Sequence, residues 1–231
     1  MSTGATIDVG RAEKRIKTLF GWLLYRRLSL PLSLRLARTA IRPAHVTAIG
    51  LGFGLAGAGL MAVGTYGLLI AGALLANLAK LMDAVDGEVA RAKGLDTRAG
   101  YVADGLTDRL RDVAVIVGLG VGAVRHGPGA SLAWTLAAVT GYLAFFYVSG
   151  AFPSHWREVR SERDVDEKHM FRLAGAVRLG AGDTLAVITL IGALADHPVW
   201  PVIAVAIAAP IATALKVRRL FAARPWDRED S

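Results

Sequence analysis

Four aspartates with spacings of 3, 18 and 4 residues lie in otherwise apolar sequence: Asp83, Asp86, Asp104 and Asp108. A carboxylate inside a membrane is costly unless it is paired or bound to a metal, so such groups indicate a functional site. Oxygen ligands without histidine or cysteine favour Mg²⁺ or Mn²⁺, and four carboxylates suit two ions better than one. Two such ions on a diphosphate can stabilise both the attacking and the leaving oxygen at phosphorus. The pattern therefore predicts metal-dependent phosphoryl transfer.

Two antiparallel helices must bring these aspartates together. Asp83 and Asp86 are three residues apart and Asp104 and Asp108 are four apart, so each pair shares one face of a helix. A short turn around residues 94–98 joins the two helices. At 1.5 Å per residue, Asp83 lies about 12 Å inward from that turn, and Asp104 and Asp108 lie about 9 and 15 Å inward. Because these depths match, we expect the four carboxylates to meet.

The composition indicates that the helices cross a membrane. Of the 231 residues, 54% are hydrophobic, and the mean hydropathy is +0.44. Charged residues fall in blocks separated by apolar runs of about 20 residues, the length that spans roughly 30 Å of hydrocarbon. We therefore predict an all-α bundle of six transmembrane helices, at about residues 44–64, 67–91, 99–123, 131–152, 176–195 and 199–220.

The predicted membrane domain, residues 44–221, is a single catalytic domain. It follows a cytoplasmic segment, residues 1–43, and precedes a short cytoplasmic tail, residues 222–231. Within the first segment, apolar residues recur at helical spacing beside basic residues between Ile16 and Arg27. This pattern is typical of an amphipathic helix that lies on the cytoplasmic leaflet.

The distribution of basic residues predicts the orientation of the chain. Twenty-three Lys and Arg residues lie on one side of the predicted spans, and only Arg125 lies in the turns on the other side. The positive-inside rule then places both termini and the active site at the cytoplasmic face of the cell's inner or plasma membrane. The net charge of +8 is explained by membrane lipids rather than by nucleic acid, because the cations lie next to lipid head groups. The absence of cysteine excludes disulfides and thiolate chemistry.

An ion-coupled transporter is the alternative function, because it would also use aspartates inside the membrane. The chain shows neither an inverted repeat nor a pair of Gly/Pro-broken spans, and both would favour transport. Gly50, Gly54 and Ala58 form a stripe of small residues in the first span. Such a stripe favours close helix packing within the bundle over a dimer face, and a homodimer remains open.

Residues 83–108 fill every fixed position of the pattern D-x2-D-G-x2-A-R-x8-G-x3-D-x3-D. This segment resembles the signature of the CDP-alcohol phosphotransferases, also called CDP-alcohol phosphatidyltransferases, and six spans agree with the fold of that family. Residues 43–47, PAHVT, are similar to the P-N-x-x-T sequence that begins the family's first span. In this chain His45 replaces the usual asparagine.

The resemblance implies a role for each matching position. Asp83, Asp86 and Asp104 would ligate two Mg²⁺ or Mn²⁺ ions, and Asp108 would bind the second ion and deprotonate the acceptor hydroxyl. The residues implied to line the CDP site are Thr47, Gly87, Ala90, Arg91 and Gly100. The implied reaction moves a phosphate-linked group from a CDP-alcohol to a polar alcohol and releases CMP, in phospholipid or polar-headgroup biosynthesis.

Within the family, the chain most resembles the branch that uses inositol phosphate. A phosphorylated acceptor would need cations beyond the motif, and the candidates are Lys80, Arg109, Arg111, Arg172 and Arg178. An uncharged acceptor such as serine or inositol is the alternative. The donor is left open between CDP-diacylglycerol and a soluble CDP-inositol.

Overall fold

The computed structural model describes residues 25–125, 128–151, 170–173 and 177–222, and this part of the chain is almost entirely helical. Seven α-helices are present in it: α1 (Arg26–Ala37), α2 (Pro43–Val63), α3 (Tyr66–Ala92), α4 (Arg98–Ala123), α5 (Pro128–Phe146), α6 (Ala181–Leu194) and α7 (Val199–Ala222). A short π-helix, Tyr147–Ala151, extends α5. Two strands, β1 (Met170–Leu173) and β2 (Val177–Gly180), pair antiparallel just before α6.

The predicted span boundaries agree with α2, α3, α4 and α7 to within two residues. The prediction for residues 176–195 was wrong at its beginning, because β2 occupies residues 177–180 and the helix α6 has only 14 residues. The all-α class is confirmed in the described residues, and this short strand pair is an addition to it. The physical reason is that a single arginine lies between two apolar residues in residues 171–173 and again in 177–179, a period of two that favours strands.

Four helices in the described residues are long and apolar enough to cross a membrane: 43–63, 66–92, 131–149 and 199–219. Helix α4 has 26 residues, but its first half carries the charged groups of the motif. Helix α6 is apolar and shorter than a usual span. The chain is therefore an integral membrane protein, and the count of six spans and the side on which the termini lie stay predictions.

Helix α2 packs between the two helices that carry the aspartates. It contacts α3 and α4 extensively, whereas α3 and α4 contact each other sparsely. Small residues make this approach close: a Cβ added at Gly57 would lie 2.6 Å from the carbonyl oxygen of Gly72, and one at Gly118 would lie 2.3 Å from that of Ala58. Because α2 holds α3 and α4 apart, space remains between them for the aspartate side chains.

Helix α1 is attached to α3 through a buried carboxylate. Glu88 is 2% exposed and accepts hydrogen bonds from the hydroxyls of Ser29 and Ser33, at 2.9 and 2.6 Å. Just before α1, the hydroxyl of Tyr25 donates to Asn77 at 3.0 Å, and burial raises the pKa of Tyr25 to about 12, so the phenol stays protonated. The predicted amphipathic helix near residues 16–27 lies almost entirely outside the described residues.

Candidate active site

Three of the four predicted aspartates converge between α3 and α4. Asp83, Asp104 and Asp108 each offer a carboxylate oxygen, and these oxygens lie within 4.8 Å of one another. The spacing of the motif explains this arrangement, because Asp104 and Asp108 are one turn apart on α4 and face Asp83 across the gap next to α2. Such a group of oxygens can surround a small divalent cation.

The fourth aspartate, Asp86, lies beside this group and is bonded to α2. Its Oδ2 atom is 2.6 Å from the hydroxyl of Thr47, which is also 3.2 Å from the carbonyl of Pro43. Asp83, Asp86 and Thr47 line one cleft of about 200 Å³, together with Gly50, Leu51, Thr107 and Arg111. The structure thus brings Thr47 and the aspartates of α3 to the same cleft.

Basic side chains surround the carboxylates. Lys80 Nζ is 2.6 Å from Asp83 Oδ2 and 3.9 Å from Asp108 Oδ1. Arg111 donates to Asp108 Oδ1 through Nη2, and Arg109 Nη1 is 3.5 Å from Asp108 Oδ2. These cations offset part of the negative charge that a low-dielectric interior would otherwise oppose.

The donor set fits a hard divalent cation such as Mg²⁺ or Mn²⁺. It consists of carboxylate oxygens only, and the four motif aspartates outnumber the three cations beside them. Asp104 Oδ1 is buried and has no hydrogen-bond partner among the described residues. A buried carboxylate oxygen without a partner is costly, and a bound cation would remove that cost.

The small residues of the motif lie on both α3 and α4. A Cβ added at Gly87 would be 3.2 Å from Nη1 of Arg91, so the Arg91 guanidinium folds over the glycine. Ala90 follows on this part of α3 and is partly buried. Gly100 is exposed in the first turn of α4, where its N–H donates to the Thr97 hydroxyl at 3.0 Å. His45, the departure from the family pattern, accepts the Arg42 N–H on Nδ1 at 3.3 Å and so caps α2.

The candidate acceptor cations fall into three groups. Lys80 and Arg111 form ion pairs with the aspartates, and their role toward an acceptor stays a prediction. Arg109 stacks on the ring of Phe146, 4.0 Å from its centroid, and remains partly exposed. Arg172 and Arg178 lie directly opposite each other in the β1–β2 pair.

Sequence reasoning missed two groups near the site. Lys216 of α7 donates to Ser149 at 2.7 Å and lies 4.8 Å from the ring centroid of Phe145, next to Phe146. Asp112 is a further buried carboxylate, one turn beyond Asp108. The four-residue spacing of Asp104 and Asp108 continues to Asp112, and that periodicity was the available signal.

The fold, the motif and the carboxylate cluster define a class of enzyme. Residues 30–206 match the family model described as CDP-alcohol phosphatidyltransferase, and the chain belongs to this family. It is 33% identical over 134 residues to a bifunctional IPC transferase and DIPP synthase of Rubrobacter xylanophilus, covering 55% of this chain and 29% of that protein. It is 37% identical over 95 residues to a phosphatidylinositol phosphate synthase of Mycobacterium tuberculosis, covering 41% of this chain and 43% of the relative.

A solved structure supports the same assignment. The crystal structure of the Mycobacterium tuberculosis phosphatidylinositol phosphate synthase with CDP-DAG bound aligns with a TM-score of 0.64 and 26% sequence identity. The alignment covers 83% of this chain and 92% of that one. The chain spans less than half the length of the curated relatives named above.

Proposed function

We propose that the protein is a metal-dependent transferase that moves the phosphatidyl group of CDP-diacylglycerol to a hydroxyl of a phosphorylated polyol, with inositol phosphate as the first candidate, and releases CMP. The observation that carries this proposal is the convergence of the Asp83, Asp104 and Asp108 oxygens within 4.8 Å, at the motif positions of the family. The choice of donor and acceptor is supported by the phosphatidylinositol phosphate synthases among its relatives.

The metal ligands in this proposal are Asp83, Asp86, Asp104 and Asp108. When bound, two Mg²⁺ or Mn²⁺ ions would neutralise the diphosphate and the charge that develops on the attacking and leaving oxygens. The Asp104 oxygen that lacks a partner supports this ligand set. Asp86 would belong to this ligand set, and the Thr47 hydroxyl would donate a hydrogen bond to Asp86 Oδ2 at the same time.

Asp108 is the general base in this scheme. The acceptor oxygen attacks the phosphorus that carries diacylglycerol, the proton of the acceptor hydroxyl passes to the Asp108 carboxylate, and the bond between that phosphorus and CMP breaks. The electron pair of the broken bond leaves with CMP. A carboxylate among three cations is held in place for this transfer, because each cation restricts its rotation.

The donor would lie along the cleft beside Thr47 and the motif side of α3. The diphosphate would lie at this cleft, where Thr47, Asp83 and Asp86 line the wall, while the acyl chains stay in lipid. Gly87, Ala90, Arg91 and Gly100 would line the nucleotide side, and the Arg91 guanidinium offers a planar fork to phosphate oxygens.

The acceptor phosphate would meet cations on the opposite side of Asp108. Arg109 and Lys216 lie against the neighbouring rings of Phe146 and Phe145, and the two ring centroids are 5.4 Å apart. Arg109 lies near the middle of α4, and Lys216 lies near the C-terminal end of α7. We include Arg172 and Arg178 in this group, since their strands lead directly into α6.

The proposal also covers the orientation of the protein. The two ends of the chain and the active site would face the cytoplasm, because Lys and Arg are concentrated at that side of the spans. The bundle of six helices, residues 44–221, would form the catalytic domain. CDP-diacylglycerol could then enter from the membrane and a water-soluble acceptor from the cytoplasm.

The test is a substrate matrix with purified protein in detergent and Mg²⁺. Radiolabelled CDP-diacylglycerol and CDP-inositol are each offered inositol phosphate, glycerol phosphate, serine and inositol, and CMP and the lipid product are measured. We expect CMP and a phosphorylated lipid from CDP-diacylglycerol with inositol phosphate. Preference for serine or inositol would refute the anionic acceptor only. Ion-driven uptake in liposomes without any CMP would instead indicate the transporter.

A further inference from the structure

Arg111 is a buried cation that links three carboxylates. Its side chain is 6% exposed. Nη2 donates to Asp108 Oδ1, Nη1 lies 3.9 Å from Asp83 Oδ1, and Nε donates to Asp112 Oδ1 at 3.4 Å. The guanidinium therefore joins α3 and α4 next to the proposed metal ligands, and its planar fork sets the direction of each contact.

The stem of Arg111 lies directly on the backbone of α2. A Cβ added at Gly54 would be 2.3 Å from Cγ of Arg111 and 2.7 Å from Cδ. A side chain at position 54 could not share that space with Arg111. Because the residue there is glycine, Arg111 can reach the aspartates. The position of the guanidinium is thus set by packing as well as by ion pairs.

Asp112 and Tyr142 hold Arg111 from the other side. Asp112 has an 8% exposed side chain and accepts the Arg111 Nε hydrogen on Oδ1 and the Tyr142 hydroxyl hydrogen on Oδ2. Tyr142 is buried on α5. A buried carboxylate is tolerated only when its oxygens are bonded, and this arrangement bonds both of them. A chain of hydrogen bonds therefore runs from Tyr142 through Asp112 and Arg111 to Asp108.

Each of two proposed ligands has one oxygen in a close contact with a basic residue. Asp108 Oδ1 bonds to Arg111, and Asp83 Oδ2 bonds to Lys80 at 2.6 Å. The ion pairs at the other oxygens are longer, 3.5 Å to Arg109 at Asp108 Oδ2 and 3.9 Å to Arg111 at Asp83 Oδ1. One oxygen can therefore orient the side chain while the other binds a metal ion. Outer hydrogen bonds of this kind commonly strengthen metal binding by about 10- to 100-fold.

We propose that Asp112 and Tyr142 are positioning residues that hold Arg111 so that it orients Asp108, and through it the metal site. The inference rests on the metal site of the proposed function. Neither Asp112 nor Tyr142 belongs to the family motif, and both act through Arg111 rather than by touching substrate.

The experiment measures binding of Mn²⁺ alone to purified, metal-free protein in detergent, with free Mn²⁺ followed by electron paramagnetic resonance. Arg111→Gln should weaken binding about 10- to 100-fold, and Tyr142→Phe, which removes one hydroxyl and no charge, about 3- to 10-fold. Tyr147→Phe is the matched control, because Tyr147 is 60% exposed one turn further along, and it should leave the Mn²⁺ affinity unchanged.

The direction of the Arg111→Gln effect separates orientation from simple charge. If Arg111 only repelled cations, its loss would tighten Mn²⁺ binding, and that result would overturn the proposal. The double variant Tyr142→Phe/Arg111→Gln should bind no more weakly than Arg111→Gln alone, since the tyrosine acts through the arginine. Additive losses would contradict the chain of contacts.

Misfolding of a variant and failure of the metal site can be distinguished from failure of the positioning role. If Arg111→Gln fails to fold, as judged by gel filtration and thermal unfolding, Tyr142→Phe carries the test, and an affinity equal to that of Tyr147→Phe refutes the inference. Failure of the unmodified protein to bind Mn²⁺ would overturn the metal site itself. Normal binding by the unmodified protein with unchanged variants would overturn only the positioning role.

Discussion

Replacement of Asp108 by asparagine tests the proposed base with little change of shape. Asparagine is nearly isosteric, and its amide oxygen can still accept the hydrogen bond from Arg111. The substitution removes a charge that lies 3.5 Å from Arg109 Nη1 and 3.9 Å from Lys80 Nζ. Asp83 and Asp104 keep their carboxylates. We therefore expect a folded protein that has lost its proton acceptor.

The expected loss of turnover is about 10²- to 10⁴-fold, the usual contribution of a positioned general base. At about 1.36 kcal/mol for each factor of ten, this corresponds to roughly 3–5 kcal/mol in the activation barrier. Donor binding should fall by much less, since two of the three clustered carboxylates and the Asp86–Thr47 contact remain. The effect should thus lie in kcat and not in the KM for the donor.

The assay compares three aspartate-to-asparagine variants by CMP release at saturating Mg²⁺ and by equilibrium binding of CDP-diacylglycerol. Asp108→Asn should lose turnover and keep binding, whereas Asp83→Asn should lose metal and donor together. Asp96→Asn is the matched control, because Asp96 is exposed in the turn between α3 and α4. A kcat for Asp108→Asn within about threefold of the control would exclude the general-base role, given its usual size.

Three other predictions concern the metal, the fold and the acceptor. Excess chelator should abolish CMP release, Mg²⁺ or Mn²⁺ should restore it, and Ca²⁺ should restore little because its looser shell misplaces the reacting oxygens; full activity in chelator would sink the two-metal scheme. Ser29→Ala with Ser33→Ala should lower the Tm in detergent, since each hydrogen bond to the buried Glu88 carboxylate contributes about 1.5–3 kcal/mol, and adding Glu88→Met should recover much of the loss. Equal Tm values for the unmodified protein, the double serine variant and the triple variant would argue against the attachment of α1 to α3 through Glu88. Arg172→Ala or Arg178→Ala should raise the KM for inositol phosphate about fivefold or more and leave the donor KM unchanged, if their guanidinium forks bind phosphate; a change below twofold in both constants would assign them to orientation alone.

Much of the helical framework could be predicted, because membrane thickness and charge constrain it strongly. A helix that crosses roughly 30 Å of hydrocarbon needs about 20 apolar residues, and basic blocks mark where each one ends. The strands 170–173 and 177–180 were missed for the opposite reason. Hairpin segments of four residues are too short for their alternation to stand out beside an apolar helix that begins immediately after them.

The meeting of Asp83 with Asp104 and Asp108 was also predictable, since helix periodicity and equal depth on two antiparallel helices leave few other arrangements. The attachment of α1 was not. In the sequence, nothing marks Glu88 except that related motifs carry a different residue at this position. Ser29 and Ser33 are common polar residues. Their role depends on the angle at which α1 crosses α3, which no local pattern specifies.

The same limit applies to the position of the Arg111 guanidinium. Its position three residues after Asp108 indicates a shared helix face, but two features from other helices decide where the guanidinium goes. Gly54 on α2 leaves room for the stem, and Tyr142 on α5 fixes Asp112 as a partner. A sequence motif names the groups that can do the chemistry. The side chains that aim those groups come from helices distant in sequence, so they become visible only when the bundle is assembled.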